Sequence, residues 1–251
     1  MLRNPRRHYF SGGVTCAGTC QHIAVTTPDQ PFICYFDPAN QQVKVAQRTG
    51  AGWTSQVVGP AQSGCGALAV NSSGQPHLCY GGNSSTIYAY RDGSGWHAQS
   101  APGGGCDDLA LDSNGAAHIT YRVDHGASAQ ELLYAHRTAS GWQSESIGAC
   151  HLCSVSSLAI DRQGYPHVAY DTQGDGPGPN LVYARRSASG WAQQTLQVLH
   201  HPIAISLGVD SNDYPHIASG ANSYIFQDAS GWHQQQSPAD LYPALALDGA
   251  G

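Results

Sequence analysis

Charge is what this 251-residue chain has least of. Asp, Glu, Lys and Arg together make up 11%, against roughly 25% in an average soluble domain. The 11 Lys and Arg are scattered. That argues against a phosphate-binding basic surface, so no nucleic-acid partner is expected. No run approaches the ~18 apolar residues of a spanning helix, so membrane insertion is not expected either. The first ten residues, Met1 to Phe10, hold no apolar stretch of the signal-peptide kind. The chain therefore reads as a mature form, a fragment or a cytosolic protein. Also missing are a nucleophile elbow, a P-loop, a dinucleotide fingerprint and a His-Glu-x-x-His zinc motif. The helix formers Lys and Met occur once each, whereas Gly numbers 30 and Tyr 13. Low charge and many turn residues point to an all-β protein.

What is present is a repeat, the signal that decides architecture before any other. Gly-Trp recurs at Trp53, Trp96, Trp142, Trp191 and Trp232, at intervals of 43, 46, 49 and 41 residues. A second block precedes it, as in Leu68-Ala-Val-Asn-Ser-Ser-Gly-Gln-Pro-His-Leu-Cys-Tyr80. A third lies between them, as in Leu132-Leu-Tyr-Ala-His-Arg137. Each unit offers four short strands, here termed A to D from first to last. An Asp-x-x-Gly hairpin turn joins A to B, and a Ser-Gly turn leads to the Trp that opens D. Repeated four-stranded units of 40–50 residues are the pattern of β-propeller blades. The expectation is one domain over 1–251 with five complete units, at 22–58, 67–100, 108–147, 157–196 and 206–236. Partial units fall at 7–13, read as a D strand, and 244–251, which restarts strand A. Five blades with remnants is the leading form. A six-bladed ring and a truncated larger ring are the alternatives, because natural proteins avoid an unpaired strand edge.

The segments Ser157-Leu-Ala-Ile-Asp-Arg-Gln-Gly-Tyr-Pro-His-Val-Ala-Tyr170 and Tyr183-Ala-Arg-Arg-Ser-Ala-Ser-Gly-Trp191 resemble the repeats of bacterial exported propellers, loosely grouped with sialidase-like (BNR-type) repeats. The resemblance covers nearly the whole chain and implies the propeller fold and an extracellular or cell-surface location. It does not carry sialidase catalysis, because a true Asp-box (Ser-x-Asp-x-Gly-x-Thr-Trp) is absent and no arginine triad with a Tyr nucleophile can be placed. Small lectin propellers also repeat Trp and Gly, which implies sugar binding.

Site candidates come from comparing the copies with one another. The A–B and C–D turns are nearly uniform, whereas the B–C loops vary, and variable loops on a rigid scaffold are where sites are built. Asp124, His125, Asp171 and Asp175 lie in the two longest of these. The D–A loops hold most cysteines: Cys16, Cys20, Cys65, Cys106, Cys150 and Cys153. His200 and His201 take that place in the fifth unit. Disulfides are the leading reading, with Cys16–Cys20, Cys150–Cys153 and Cys65–Cys106 as conceivable pairs. A Cys/His-bound metal is the alternative, though no second C-x-x-C completes a zinc pattern. Cys34 and Cys79 read as small core residues in strand B. The five Trp read as blade-to-blade packing, or else as a sugar-stacking series. Arg48, Arg91, Arg137 and Arg186 end strand C, either fixing the C–D corner or meeting sugar hydroxyls. His77, His118, His167 and His216 read as one structural hydrogen bond per blade. Asp112, Asp161, Asp210 and Asp248 read as turn caps.

The function expected is a non-catalytic, glycan-binding or adhesion module with shallow sites between blades. Weak multivalent binding suits its many neutral polar groups. One alternative is a glycoside hydrolase or polysaccharide lyase at the channel mouth, which needs paired carboxylates. The other is a structural repeat of a larger surface or filament protein, with a homo-oligomer or partner chain completing the open end. No cofactor is expected; calcium at the acidic residues 171–175 is a weak possibility.

Overall fold

The computed structural model describes residues 7–9, 22–26, 30–62, 64–82, 85–126, 129–151, 153–173, 179–198, 204–220, 222–237 and 244–247. They form five antiparallel sheets and, among the described residues, no helix. The first sheet holds β1 (Arg7–Tyr9), β2 (His22–Val25), β3 (Pro31–Asp37), β4 (Gln42–Thr49) and β5 (Gly52–Pro60). The second holds β6 (Cys65–Val70), β7 (Pro76–Gly81), β8 (Thr86–Asp92) and β9 (Gly95–Ala101). The third holds β10 (Asp108–Leu111), β11 (Ala117–Asp124), β12 (Ala129–Thr138) and β13 (Gly141–His151). The fourth holds β14 (Ser156–Ile160), β15 (Pro166–Gln173), β16 (Pro179–Ser187) and β17 (Gly190–Val198). The fifth holds β18 (Ile205–Val209), β19 (Pro215–Ser219), β20 (Ser223–Asp228) and β21 (Gly231–Gln236). Every sheet is a meander in sequence order, as hairpin turns between consecutive strands dictate.

The turns behave as their residues require. Asp112, Asp161 and Asp210 each accept two backbone N–H groups of the following turn at 2.8–2.9 Å. Asp248 lies outside the described residues. The Gly before each Trp has a φ of +109° to +126°, a region that side-chain-bearing residues avoid. This fixes the Gly-Trp pair at the start of every D strand.

The core lies between sheets rather than within any one. Four apolar clusters exist, and each is shared by two consecutive sheets. The inner strands β2, β6, β10, β14 and β18 lie side by side in that order. A backbone-to-side-chain ladder runs along them. Leu158 N–H donates to Asp108 Oδ2 at 2.8 Å, and Leu207 N–H to Ser157 Oγ at 3.1 Å. Leu245 N–H donates to Ser206 Oγ at 3.0 Å. The segment 244–247 thus occupies the place of an inner strand beyond the fifth sheet. Among the described residues the stack is not closed into a ring.

Two expectations are corrected. Residues 7–9 do not form a D strand: β1 pairs antiparallel with the inner strand β2, Arg7 opposite Ala24. The cysteine pairing also differs. Cys34 bonds Cys65 and Cys79 bonds Cys106, with Cα–Cα distances of 6.1 and 5.9 Å. Cys65–Cys106 is therefore not a pair, and Cys34 and Cys79 are not simple core residues. The reason is stacking: the B strand of one sheet faces the start of the A strand of the next, so each bond crosses a sheet boundary. Cys150–Cys153 is bonded as expected. Cys16 and Cys20 lie outside the described residues. The six described cysteines are all in disulfides and so are unavailable to a metal. Among the described residues no cluster of three His, Cys, Asp or Glu could hold one.

Candidate functional site: a polar groove between the third and fourth sheets

Each sheet has two unlike faces. The front face carries the recurrent His and, on the facing C strand, a Tyr two residues before the position paired with that His. The back face carries the Trp of strand D and the residue that ends strand C. His77 Nδ1 meets Tyr88 OH at 2.5 Å, His167 Nδ1 meets Tyr183 OH at 2.6 Å, and His216 Nδ1 meets Tyr224 OH at 2.6 Å. His118 is paired with Tyr134 in the same way. The histidines thus have the within-sheet hydrogen bond expected of them. The first sheet departs from the pattern, with Phe32 and Val45 at these positions.

The back-face Trp packs on the front-face Tyr of the preceding sheet. Trp142 meets Tyr88 edge-on at 5.4 Å, Trp191 meets Tyr134 at 5.5 Å, and Trp232 meets Tyr183 at 5.0 Å. Trp96 packs against the first sheet and its Nε1 donates to Gln56 Oε1 at 3.1 Å. These four are inter-sheet packing residues. Trp53 has no preceding sheet and is 52% exposed.

The strand-C arginines also reach backward. Arg91 donates to Gln47 at 3.5 Å. Arg137 lies over the rings of Tyr88 and Tyr90 at 5.8 and 5.4 Å, a cation–π contact. Arg186 differs, because its Nε donates to Glu145 on β13. A groove of about 520 Å³ lies beside this pair, between the third and fourth sheets, with Arg186 in its lining. By contrast Phe32, Val45 and Trp96 nearly fill the equivalent space between the first and second sheets.

The groove is lined by Asp112, His118, Tyr134, His136, Gln143, Arg162, Tyr165 and Arg186. Burial pushes the Tyr134 hydroxyl above its ordinary pKa, and that hydroxyl shares a hydrogen bond with His118 Nδ1. The other ring nitrogen of His118 is Nε2. That atom is buried and has no hydrogen-bond partner, since Asp112 Oδ2 is 3.8 Å away. In the fourth sheet the same atom of His167 reaches Asp161 Oδ2 at 3.3 Å. His136 stacks on His118 at 5.9 Å with a further unpartnered buried nitrogen, Nδ1. Burial, with the neighbouring His118 second, holds His136 below its ordinary pKa. Both nitrogens are buried, so the surface that the groove presents is made by its other side chains, such as the exposed Gln143. Asp112 is the only carboxylate lining the groove, and its turn already uses it. The groove therefore offers donors, acceptors and ring faces, but no carboxylate pair of the kind glycoside hydrolysis needs.

The remaining expected residues are elsewhere. Asp171 is buried and accepts Ser154 N–H and Val155 N–H at 2.8 and 2.7 Å, with Ser154 Oγ at 2.8 Å. It clamps the loop between the third and fourth sheets and is not open to a ligand. Asp124 accepts Gly126 N–H at 2.8 Å, and His125 pairs with Glu131 at 3.2 Å. Asp175, His200 and His201 lie outside the described residues. The groove opens beside the uniform A–B turns, not among the variable loops where sites were expected. His136, Gln143 and Tyr165 were missed. The available signal was departure from the repeat: His136 stands where the second and fifth sheets carry Tyr90 and Phe226.

The sequence matches no protein family and no curated protein. Among solved structures it is similar to a protein of unknown function from Dyadobacter fermentans. The TM-score is 0.55 at 10% identity, over 99% of this chain and 84% of that one. At that identity the likeness speaks to the fold alone.

Proposed function

We propose that the five sheets are blades of the β-propeller type and that the protein is a non-catalytic glycan-binding module acting outside the cell. Three disulfides among the described residues fit an oxidising compartment. The similarity of its repeats to those of exported bacterial propellers favours the same location. The observation that carries the binding reading is the groove between the third and fourth sheets. Its exposed polar side chains, Ser113, Asn114 and Gln143 among them, suit sugar hydroxyls, which both donate and accept. Its ring faces suit the apolar side of a pyranose. Neutral oligosaccharides are the ligand class, because Arg186 is already paired with Glu145 and Arg162 with Asp213.

The test is a glycan array followed by NMR titration of the positive oligosaccharide. Binding in the millimolar range is expected, with shifts confined to residues around His136 and Tyr165. Tyr165→Ala and Gln143→Ala should each weaken it about tenfold, the equivalent of about 1.4 kcal/mol, with an unchanged melting temperature. Absence of any binding at millimolar sugar, or binding untouched by both variants, would sink the assignment.

A further inference from the structure

We propose that this chain associates head to tail with a second copy of itself. The back face of the first sheet would dock on the front face of the fifth. Inside one chain the repeat shows what covers each face, and among the described residues one face of each kind is left without that cover.

The uncovered back face carries Trp53 and Arg48, paired across β4 and β5. Trp53 is 52% and Val57 49% exposed, and they are the exposed large hydrophobic residues among the described ones. Strand alternation puts both on the same side of β5. The uncovered front face is an aromatic ladder. His216 stacks on Phe226 at 5.8 Å, Tyr224 on Phe226 at 5.3 Å, and Phe226 on His233 at 5.0 Å. Tyr224 is only half-buried, whereas its counterparts Tyr88, Tyr134 and Tyr183 are buried.

The second sheet shows what such a ladder accepts. Its own series, His77, Tyr88, Tyr90 and His97, matches the fifth sheet position for position. Even the corner agrees. Asp92 and Ser94 hold His97 as Asp228 and Ser230 hold His233, at 2.7–2.9 Å throughout. The second-sheet ladder is covered by Trp142 edge-on and by Arg137 over the rings. A Trp–Arg pair is therefore what the fifth-sheet ladder is shaped to take. The chain's unused Trp–Arg pair is Trp53–Arg48. The same two surfaces lie at opposite ends of one stack, so the contact is heterologous and propagates. An incoming first sheet brings its inner strand to the place now held by residues 244–247, so that segment must yield.

The experiment is sedimentation velocity on the full chain over about a hundredfold range of concentration, with folding of every variant checked by circular dichroism. The wild type is expected to form a ladder of oligomers. Trp53→Ser and Phe226→Ser, each alone, should be monomeric, and Arg48→Glu provides a second head-side variant. Mixing Trp53→Ser with Phe226→Ser should restore dimers and nothing larger, because one intact head then meets one intact tail. Deletion of 244–251 should tighten association. A wild type that stays monomeric throughout overturns the proposal, as does a mixture of folded variants that fails to form the capped dimer. Sugar binding is read separately, so failure here leaves the groove assignment standing.

Discussion

Individual residues carry two sharp expectations. Gly103 has a φ of +90°, and a Cβ there would come within 2.4 Å of the Tyr121 ring. Gly103→Ala should cost about 2–4 kcal/mol in urea denaturation, combining backbone strain with overpacking. Gly104, with open space around it, should tolerate Ala with little change. The second concerns acid. Burial lowers His22, His77 and His167 from 6.5 to about 4. Between those values the unfolded chain binds protons that the folded chain refuses. Stability is therefore full above pH 6.5 and falls as pH drops toward 4. The slope approaches about 1.4 kcal/mol per pH unit for each such histidine. Urea midpoints measured from pH 7 to pH 4 should trace this, and a flat profile would contradict buried neutral rings.

The strands and turns were largely legible in the sequence, because Asp-x-x-Gly and Ser-Gly-Trp act locally. The partners of the recurrent histidines were half legible: one hydrogen bond per unit was foreseeable, but the Tyr across the sheet follows from register. The disulfides were not legible, since Cys34 and Cys65 meet only after two separately formed sheets stack. The groove was hidden for a similar reason. It is lined from both sheets, by Gln143 of the third and Tyr165 of the fourth among others, and these meet only on stacking. The crossing disulfides should matter more than the local one. Replacing Cys34 and Cys65 by Ala opens a constraint across a sequence separation of 31 residues, worth about 3–4 kcal/mol in the chain-entropy picture. Replacing Cys150 and Cys153, separated by 3, should cost about half that. Thermal unfolding of the two double variants compares them directly.

The molecule as a whole behaves as a stack in which each sheet is stabilised by its neighbours, as in other repeat proteins. An internal Trp and a terminal one should therefore differ sharply despite identical local sequence. Trp142→Ala removes the edge-on contact with Tyr88 and should cost about 2–3 kcal/mol, somewhat less than a fully buried Trp. Measured at a concentration low enough to keep the chain monomeric, Trp53→Ala should change stability by less than about 0.5 kcal/mol, as for an exposed position. Equal effects on denaturation midpoints would mean that Trp53 is covered in solution by the chain's own fifth sheet. The repetition of four-stranded antiparallel sheets was readable from the Gly-Trp spacing. Ring closure was left open between alternatives, because it depends on the rotation between sheets, which no repeat unit encodes alone.

The two sheet-crossing disulfides also divide the molecule mechanically. They tie the first three sheets into one covalent block, while the fourth and fifth are held to that block only by packing and the backbone. Pulled from its ends, the oxidised chain should yield first at the fourth and fifth sheets. The segments spanned by Cys34–Cys65 and Cys79–Cys106, 31 and 27 residues in separation, cannot lengthen under load. Reduction should release ~20 nm of hidden contour length, at about 3.5 Å per extended residue. The block would then act as a tether whose reach is set by the redox state around it.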